Sequence, residues 1–262
     1  MTESTAADHV RVGWKELIKA KLLRLLFDVA VTGGTAHRRY LEQLGFPKGK
    51  VARYYDVVDN AALAVKTSEL RRTGPNSFGL PLRPYFLYVG RMSPEKNVEG
   101  LLQAWLAYRD EGGEWPLILV GDGPALAGLQ AVAAKSQHGS EVHFAGLRTS
   151  RELPAFYAFA GCFVLPSVRE PWGLVVNEAM ASSLPVLVSS RCGSAEDLVE
   201  EGQNGFIFDP RSQELKAKLS RIASLSDDQL RAMGSRSSQI IAAYSPQNFG
   251  CQVESILEMA GA

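Results

Sequence analysis

The chain has 262 residues, enough for one large domain or two small ones, and its 46% hydrophobic content is ordinary for a globular protein. Its 28 Lys plus Arg balance 28 Asp plus Glu, so the formal net charge is zero. That balance argues against nucleic acid as the main partner, because a protein that tracks a phosphate backbone carries a basic excess.

Cys162, Cys192 and Cys251 are far apart and odd in number, and the four histidines are scattered. Neither set has metal-ligand spacing, and the cysteine usage fits a reducing, cytoplasmic compartment. No apolar run is long enough to span a bilayer, and MTESTAADHV lacks the charged start and apolar middle of a signal peptide.

The first element is a helix over about residues 13–25, inside the basic amphipathic stretch WKELIKAKLLRLLFD. It reads as a surface helix feeding a strand, or alternatively as a peripheral contact with an anionic inner-membrane surface. A strand over FDVAVTGG, a helix over TAHRRYLEQLG and a second strand over VARYYDVV follow. His37 lies in that helix near a strand end, where a helix-surface position is the commoner one. Residues 72–84, RTGPNSFGLPLRP, are rich in Gly and Pro and read as a linker.

From residue 85 the pattern changes. Six short apolar runs, YFLYVG, LILVG, VHFAG, CFVLPS, PVLVSS and GFIFD, alternate with helical stretches such as VEGLLQAWLAYRDEG and SRELPAFYAFAG. Apolar runs without strict alternation are strands covered on both faces, and strand–helix alternation builds a parallel, doubly wound α/β sheet of Rossmann-like type. Ligands in such sheets bind at the carboxyl ends of the strands. SPQNFGCQVESILEMA carries a helix start signal and an apolar stripe. The chain therefore divides into residues 1–75, a linker at 76–84, an α/β domain at 85–245 and a terminal helix at 246–262.

The stretch VREPWGLVVNEAM (168–180) carries the first candidate chemistry. It follows a strand end, Pro171 suits a first helical position, and a helix is expected from about Trp172 through Ser183. The N-terminus of that helix favours a phosphate group, and Gly173 lets a ligand approach the backbone. Glu178 falls among Val175, Val176, Ala179 and Met180, about 9 Å along the helix axis. A carboxylate so placed needs hydrogen-bond partners, which ribose hydroxyls would supply, while Glu170 at the mouth would hold hydroxyls of a second sugar. The plainer alternative has Glu170 capping the helix dipole and Glu178 on a solvated face.

Arg91 and Lys96 in RMSPEKN follow another strand end, where a planar fork and a point charge suit phosphate oxygens. On their own they are ordinary surface cations. VGDGP (120–124) is a glycine turn and not a dinucleotide-binding fingerprint.

In this order, YVGRMSPEKN, LVGDGP, VHFAGLRTSRELPAFYAFA, VLPSVREPWGLVVNEAMA, LPVLVSSRCGSAEDLV and NGFIFDP resemble the retaining glycosyltransferases of family 4, which have the GT-B fold. The resemblance covers roughly residues 85–262, and TGGTAHRRYLEQLGFP and YDVVDN look like the end of the family's N-terminal, acceptor-side domain. Residues 1–75 would then be a remnant of that domain, and the last helix would return toward it. The resemblance implies that Glu170, the catalytic position, contacts the transferred sugar and that Glu178 contacts the ribose. Arg91 and Lys96 would neutralise the diphosphate, the backbone at Gly173 and Leu174 would bind phosphate or sugar oxygens, Leu147 would lie near the base, and Trp172 would complete the donor set.

The implied reaction moves a glycosyl group from a UDP-, GDP- or ADP-linked sugar to a hydroxyl of a glycan, lipid or small-molecule acceptor, with retention. No cofactor beyond the donor is implied. The sequence has no Asp-x-Asp triplet to hold a divalent metal, so a metal-independent reaction is expected. A complementary acceptor-domain chain is an expected partner, and a nucleotide-sugar-binding module or an inactive fragment is the alternative reading. Ser183 stands where the family usually has Gly, a change expected to affect packing mildly.

Overall fold

The computed structural model describes residues 13–52 and 56–260, the last two by backbone only. The readings of MTESTAADHV and of positions 53–55 in the second strand fall outside the described residues.

Between residues 85 and 241 the apolar runs form the expected strands: β3 (Phe86–Val89), β4 (Leu117–Val120), β5 (Val142–Gly146), β6 (Cys162–Leu165), β7 (Val186–Ser189) and β8 (Gly205–Phe208). They precede or follow α4 (Val98–Asp110), α5 (Leu126–Ala134), α6 (Leu153–Phe159), α7 (Leu174–Ala181), α8 (Ala195–Leu198), α9 (Glu214–Ala223) and α10 (Asp227–Ile241). The sheet is parallel throughout, in the order β5-β4-β3-β6-β7-β8. That is the doubly wound order, in which the chain starts at the centre, builds outward to one edge and then crosses back to build the other. The reversal falls between β3 and β6.

Strands β3, β4, β6 and β7 are buried at every residue, which is why they read as unbroken apolar runs. Helix α4 packs on α5 and α9, and α7 packs on α10. Two buried polar side chains of the core find backbone partners: Trp105 Nε1 donates to the Trp115 carbonyl at 2.9 Å, and Tyr85 Oη to the Phe156 carbonyl at 2.7 Å.

The segment before residue 76 has α1 (Gly13–Leu26), β1 (Ala30–Val31), α2 (Thr35–Gln43), β2 (Val51–Ala52) and α3 (Asn60–Thr73). β1 and β2 pair in parallel as a separate two-stranded sheet, with two residues of each in register among the described residues. The sequence reading did not anticipate α3, α8, α9 or α10. α3 starts on Asp59, whose side chain accepts from the Ala62 amide, and ends at Gly74 (φ 80°). It packs on α6 and α7, and Arg71 donates to the carbonyls of Ala158 and Ser182. The helix therefore joins the first segment to the large sheet. The expected linker overlaps its last residues and a 3-10 turn at Pro75–Phe78. The terminal helix α11 (Pro246–Ala260) comes back to β2.

Two local expectations are corrected. His37 is fully buried rather than on a helix surface, because its ring faces Trp172 at 6.0 Å across the junction between the segments. Ser183 is not mainly a packing change. It sits just past α7 in the left-handed conformation (φ 56°), which Gly adopts without strain and Ser does not.

Candidate functional site

At the reversal point the carboxyl ends of β3 and β6 diverge and leave a cleft of about 360 Å³. Three turns build it. The first, after β3, contains Arg91 and a 3-10 turn at Pro94–Lys96, and ends at Asn97 in a left-handed conformation. Asn97 Nδ2 donates to the carbonyls of Pro166 and Pro210, which holds this turn against the ends of β6 and β8. The GDG turn after β4 supports it from outside: Met92 N donates to the Asp122 carbonyl at 2.8 Å, and Ala125 N to the Met92 carbonyl at 2.9 Å.

The second turn, 166–173, follows β6, and the third, 190–194, follows β7. Glu170 N donates to the Arg191 carbonyl, Gly193 N donates to the Glu170 carbonyl, and Cys192 Sγ and Ser194 Oγ both donate to the Trp172 carbonyl. Gly193 makes this stacking possible, since a Cβ there would lie 1.8 Å from the Pro171 carbonyl oxygen. Burial pushes the Cys192 thiol up to about 12, so it serves as a neutral donor.

These bonds correct the expected helix start. Residues 170–172 are tied into the turn, so α7 begins at Leu174, with Gly173 as its N-cap at φ 91°. The first-turn amides of a helix have no intrahelical partner, and Leu174 and Val175 line the cleft. The positive end of the helix dipole therefore lies at the cleft wall.

Glu170 is buried. Its Oε2 accepts from Lys96 Nζ in an ion pair and from Ser167 Oγ at 3.2 Å. Tyr88, in the same wall, donates its hydroxyl to the Arg91 carbonyl at 2.8 Å. Burial, then the charges of Glu170 and Glu95, raise its phenol pKa, so it stays protonated. The Glu178 carboxyl is raised by burial, partly opposed by the hydrogen bond that Tyr157 Oη donates to Oε2 at 2.7 Å.

Of the residues singled out from sequence, Arg91, Lys96, Glu170, Trp172, Gly173 and Leu174 line one cleft. Glu178 and Leu147 are not in that lining; Glu178 is one helical turn deeper, and Leu147 is 77% exposed in the loop after β5. The indole of Trp172 is buried, donates to Asn177 Oδ1 at 3.1 Å and has Tyr244 at 5.8 Å on one side.

Asp56 and Tyr88 also line the cleft and Asn177 supports it from behind, and none of the three was singled out from sequence. Asn177 Nδ2 donates to the Asp56 carbonyl at 3.0 Å, which brings a loop of the first segment to the cleft. YDVVDN contains Asp56 but has no periodicity that would place it there. Among the described residues no group of His, Cys, Asp and Glu is arranged to hold a metal ion.

The fold is that of a GT-B, Rossmann-like architecture. HepE of Anabaena, whose structure was solved in complex with UDP, superposes with a TM-score of 0.79 at 22% identity, over 96% of this chain and 70% of that one. The family description "Glycosyl transferases group 1" matches residues 76–239, and the chain belongs to that family. Alpha-D-kanosaminyltransferase of Streptomyces kanamyceticus is 30% identical over 209 residues, covering 79% of this chain and 52% of that protein. Sulfoquinovosyl transferase SQD2 of Arabidopsis thaliana is 38% identical over 137 residues, or 51% of this chain and 25% of that protein. The chain thus spans about half the length of the first of these relatives and a quarter of the second.

Proposed function

We propose that the cleft binds a nucleoside diphosphate sugar and that the chain supplies the donor side of a glycosyl transfer to a hydroxyl acceptor, with retention at the anomeric carbon. What supports this most is the convergence of Arg91, Lys96, the first turn of α7 and Glu170 on one cleft at the reversal point of the sheet. Departure of a nucleoside diphosphate builds negative charge, and fixed cations and helix amides stabilise it where it forms. Lys96 is ion-paired with Glu170. A diphosphate would compete for Lys96 and leave the carboxylate to accept hydrogen bonds from sugar hydroxyls. Glu178 would take a ribose hydroxyl deeper along α7, with the base toward Leu147. Two cations and a helix end supply the charge for the leaving group, so we infer that no divalent ion is required. The acceptor would come with a complementary acceptor-domain polypeptide.

Calorimetric titration with UDP, GDP and ADP tests this, with wild type beside Glu178→Ala and with and without EDTA. One nucleotide binds, EDTA leaves its affinity unchanged, and the substitution weakens it about tenfold or more, the size of a lost hydrogen bond to a charged group. A folded wild-type chain that binds none of the three overturns the reading.

For placement we infer a cytoplasmic protein that touches an anionic membrane surface. The exposed face of α1 presents Trp14, Leu17, Ile18, Leu22 and Leu25 beside Lys15, Lys21 and Arg24. Flotation with phosphatidylcholine vesicles, with and without phosphatidylglycerol, decides this, and absence from the anionic vesicles removes the inference.

A further inference from the structure

The donor cleft contains a second carboxylate from a different part of the chain. Of the residues lining it, Asp56 alone precedes residue 76; the others lie on β3, on β6, on the turns after them or on α7. Asp56 is 7% exposed, so its carboxylate belongs to the wall rather than to a solvated rim. It is held in place by an unbroken chain of contacts. Trp172 Nε1 donates to Asn177 Oδ1, and Asn177 Nδ2 donates to the Asp56 carbonyl. On the other side, the Asp56 carboxylate lies so close over Gly33 that a Cβ there would be 2.3 Å from Oδ2. The backbone of Asp56 is thus tied to α7 and its Oδ2 is buried over Gly33, and a residue held this way is suited to directional recognition.

The charge order of the cleft says what it can recognise. Arg91, Lys96 and the α7 amides form the anion-attracting part, and a carboxylate facing a diphosphate would repel it. Ionised carboxylates are acceptors only, so their natural ligands in a neutral substrate are hydroxyls. Glu170 meets this description as well, with one oxygen held by Lys96 and Ser167.

We propose that Asp56 is a sugar-binding residue of this cleft, its carboxylate accepting hydrogen bonds from hydroxyls of the hexose carried by the nucleotide. The proposal rests on the donor-site reading above. It makes the first segment part of the donor subsite.

The test compares matched ligands: UDP with UDP-glucose, GDP with GDP-mannose and ADP with ADP-glucose. Each pair is titrated into wild type, Asp56→Asn and Asp56→Ala. For the pair that binds, the free diphosphate has the same affinity in all three proteins, while the sugar conjugate binds the variants about tenfold or more weakly. The Asn variant keeps the shape of the side chain, and its thermal melt confirms that it folds. Equal losses for diphosphate and conjugate make Asp56 a prop of the cleft and overturn the proposal. Unchanged affinity for the conjugate overturns it as well. A wild type that binds neither member of any pair overturns the donor-site reading, and the proposal with it.

Discussion

The two ends of the molecule differ in how they hold themselves together. The six-stranded sheet has strands buried along their length and one large continuous core. The β1–β2 pair has two small clusters, Ala20 with Tyr40 and Leu44, and Leu41 with Phe46 and Val51. Its helix α1 leaves Leu17 and Leu25 about three-quarters exposed, at 74% and 75%. A two-stranded sheet is marginal by itself, so the first segment depends on what it leans against. That support is specific: the buried ring of Trp172, the carboxylate of Asp197 and the helix α3 on α6 and α7. A substrate site that uses a residue from each end is therefore only as well formed as their junction.

The largest expected effect comes from the core. Leu187 is fully buried in β7, and Leu187→Ala costs about 2–5 kcal/mol in denaturant unfolding. Leu25→Ala on α1 stays within about 0.5 kcal/mol, as exposed substitutions do. Similar costs at the two positions would mean that α1 is covered in solution.

Asp197→Ala tests the junction. Its carboxylate accepts from Thr35 N at 2.8 Å and Thr35 Oγ1 at 2.6 Å, and so caps α2 from α8. Losing a helix cap costs about 1 kcal/mol, and hydrogen exchange should show the loss over residues 35–43 with β3–β8 unaffected. Uniform loss across both regions would show that the junction is part of a single cooperative core.

Ser183→Gly should stabilise the large domain by about 0.5–1 kcal/mol, because relief of left-handed strain of about 1–2 kcal/mol outweighs the exposed hydrogen bond to Ser238 and the greater freedom of Gly in the unfolded chain. A thermal melt checks the sign.

The smallest effect concerns Glu178. Its folded-state pKa is raised, so its contribution to stability is fully present below the ordinary glutamate range and is lost as pH rises through the raised value. Glu178→Gln should therefore raise the melting temperature at pH 7, and the difference should shrink as pH falls toward that range. A difference independent of pH would mean that the effect of Glu178 is not electrostatic.

Legibility followed the same divide. CFVLPS and PVLVSS could be read as strands because burial on both faces removes alternation, and RMSPEKN and REPWG could be placed because they directly follow such strands. FDVAVTGG was read too long, because only Ala30 and Val31 of it pair in β1 among the described residues. α3 was missed although Asp59 and Gly74 bracket it, since AALAVKTSELRR has no sustained apolar stripe.

The sequence by itself determined the sheet, its parallel class and the side of it on which the cations and Glu170 stand, because those follow from local periodicity and from position after a strand. Only the tertiary structure decided that α7 starts after Gly173, that His37 is buried and that Asp56 reaches the cleft. Each of these depends on contacts between distant stretches: Glu170 with Arg191 and Gly193, His37 with Trp172, and Asp56 with Asn177. Pairings separated by twenty to more than a hundred residues leave no periodic trace in a single chain, because the energy that selects them exists only once the elements have packed.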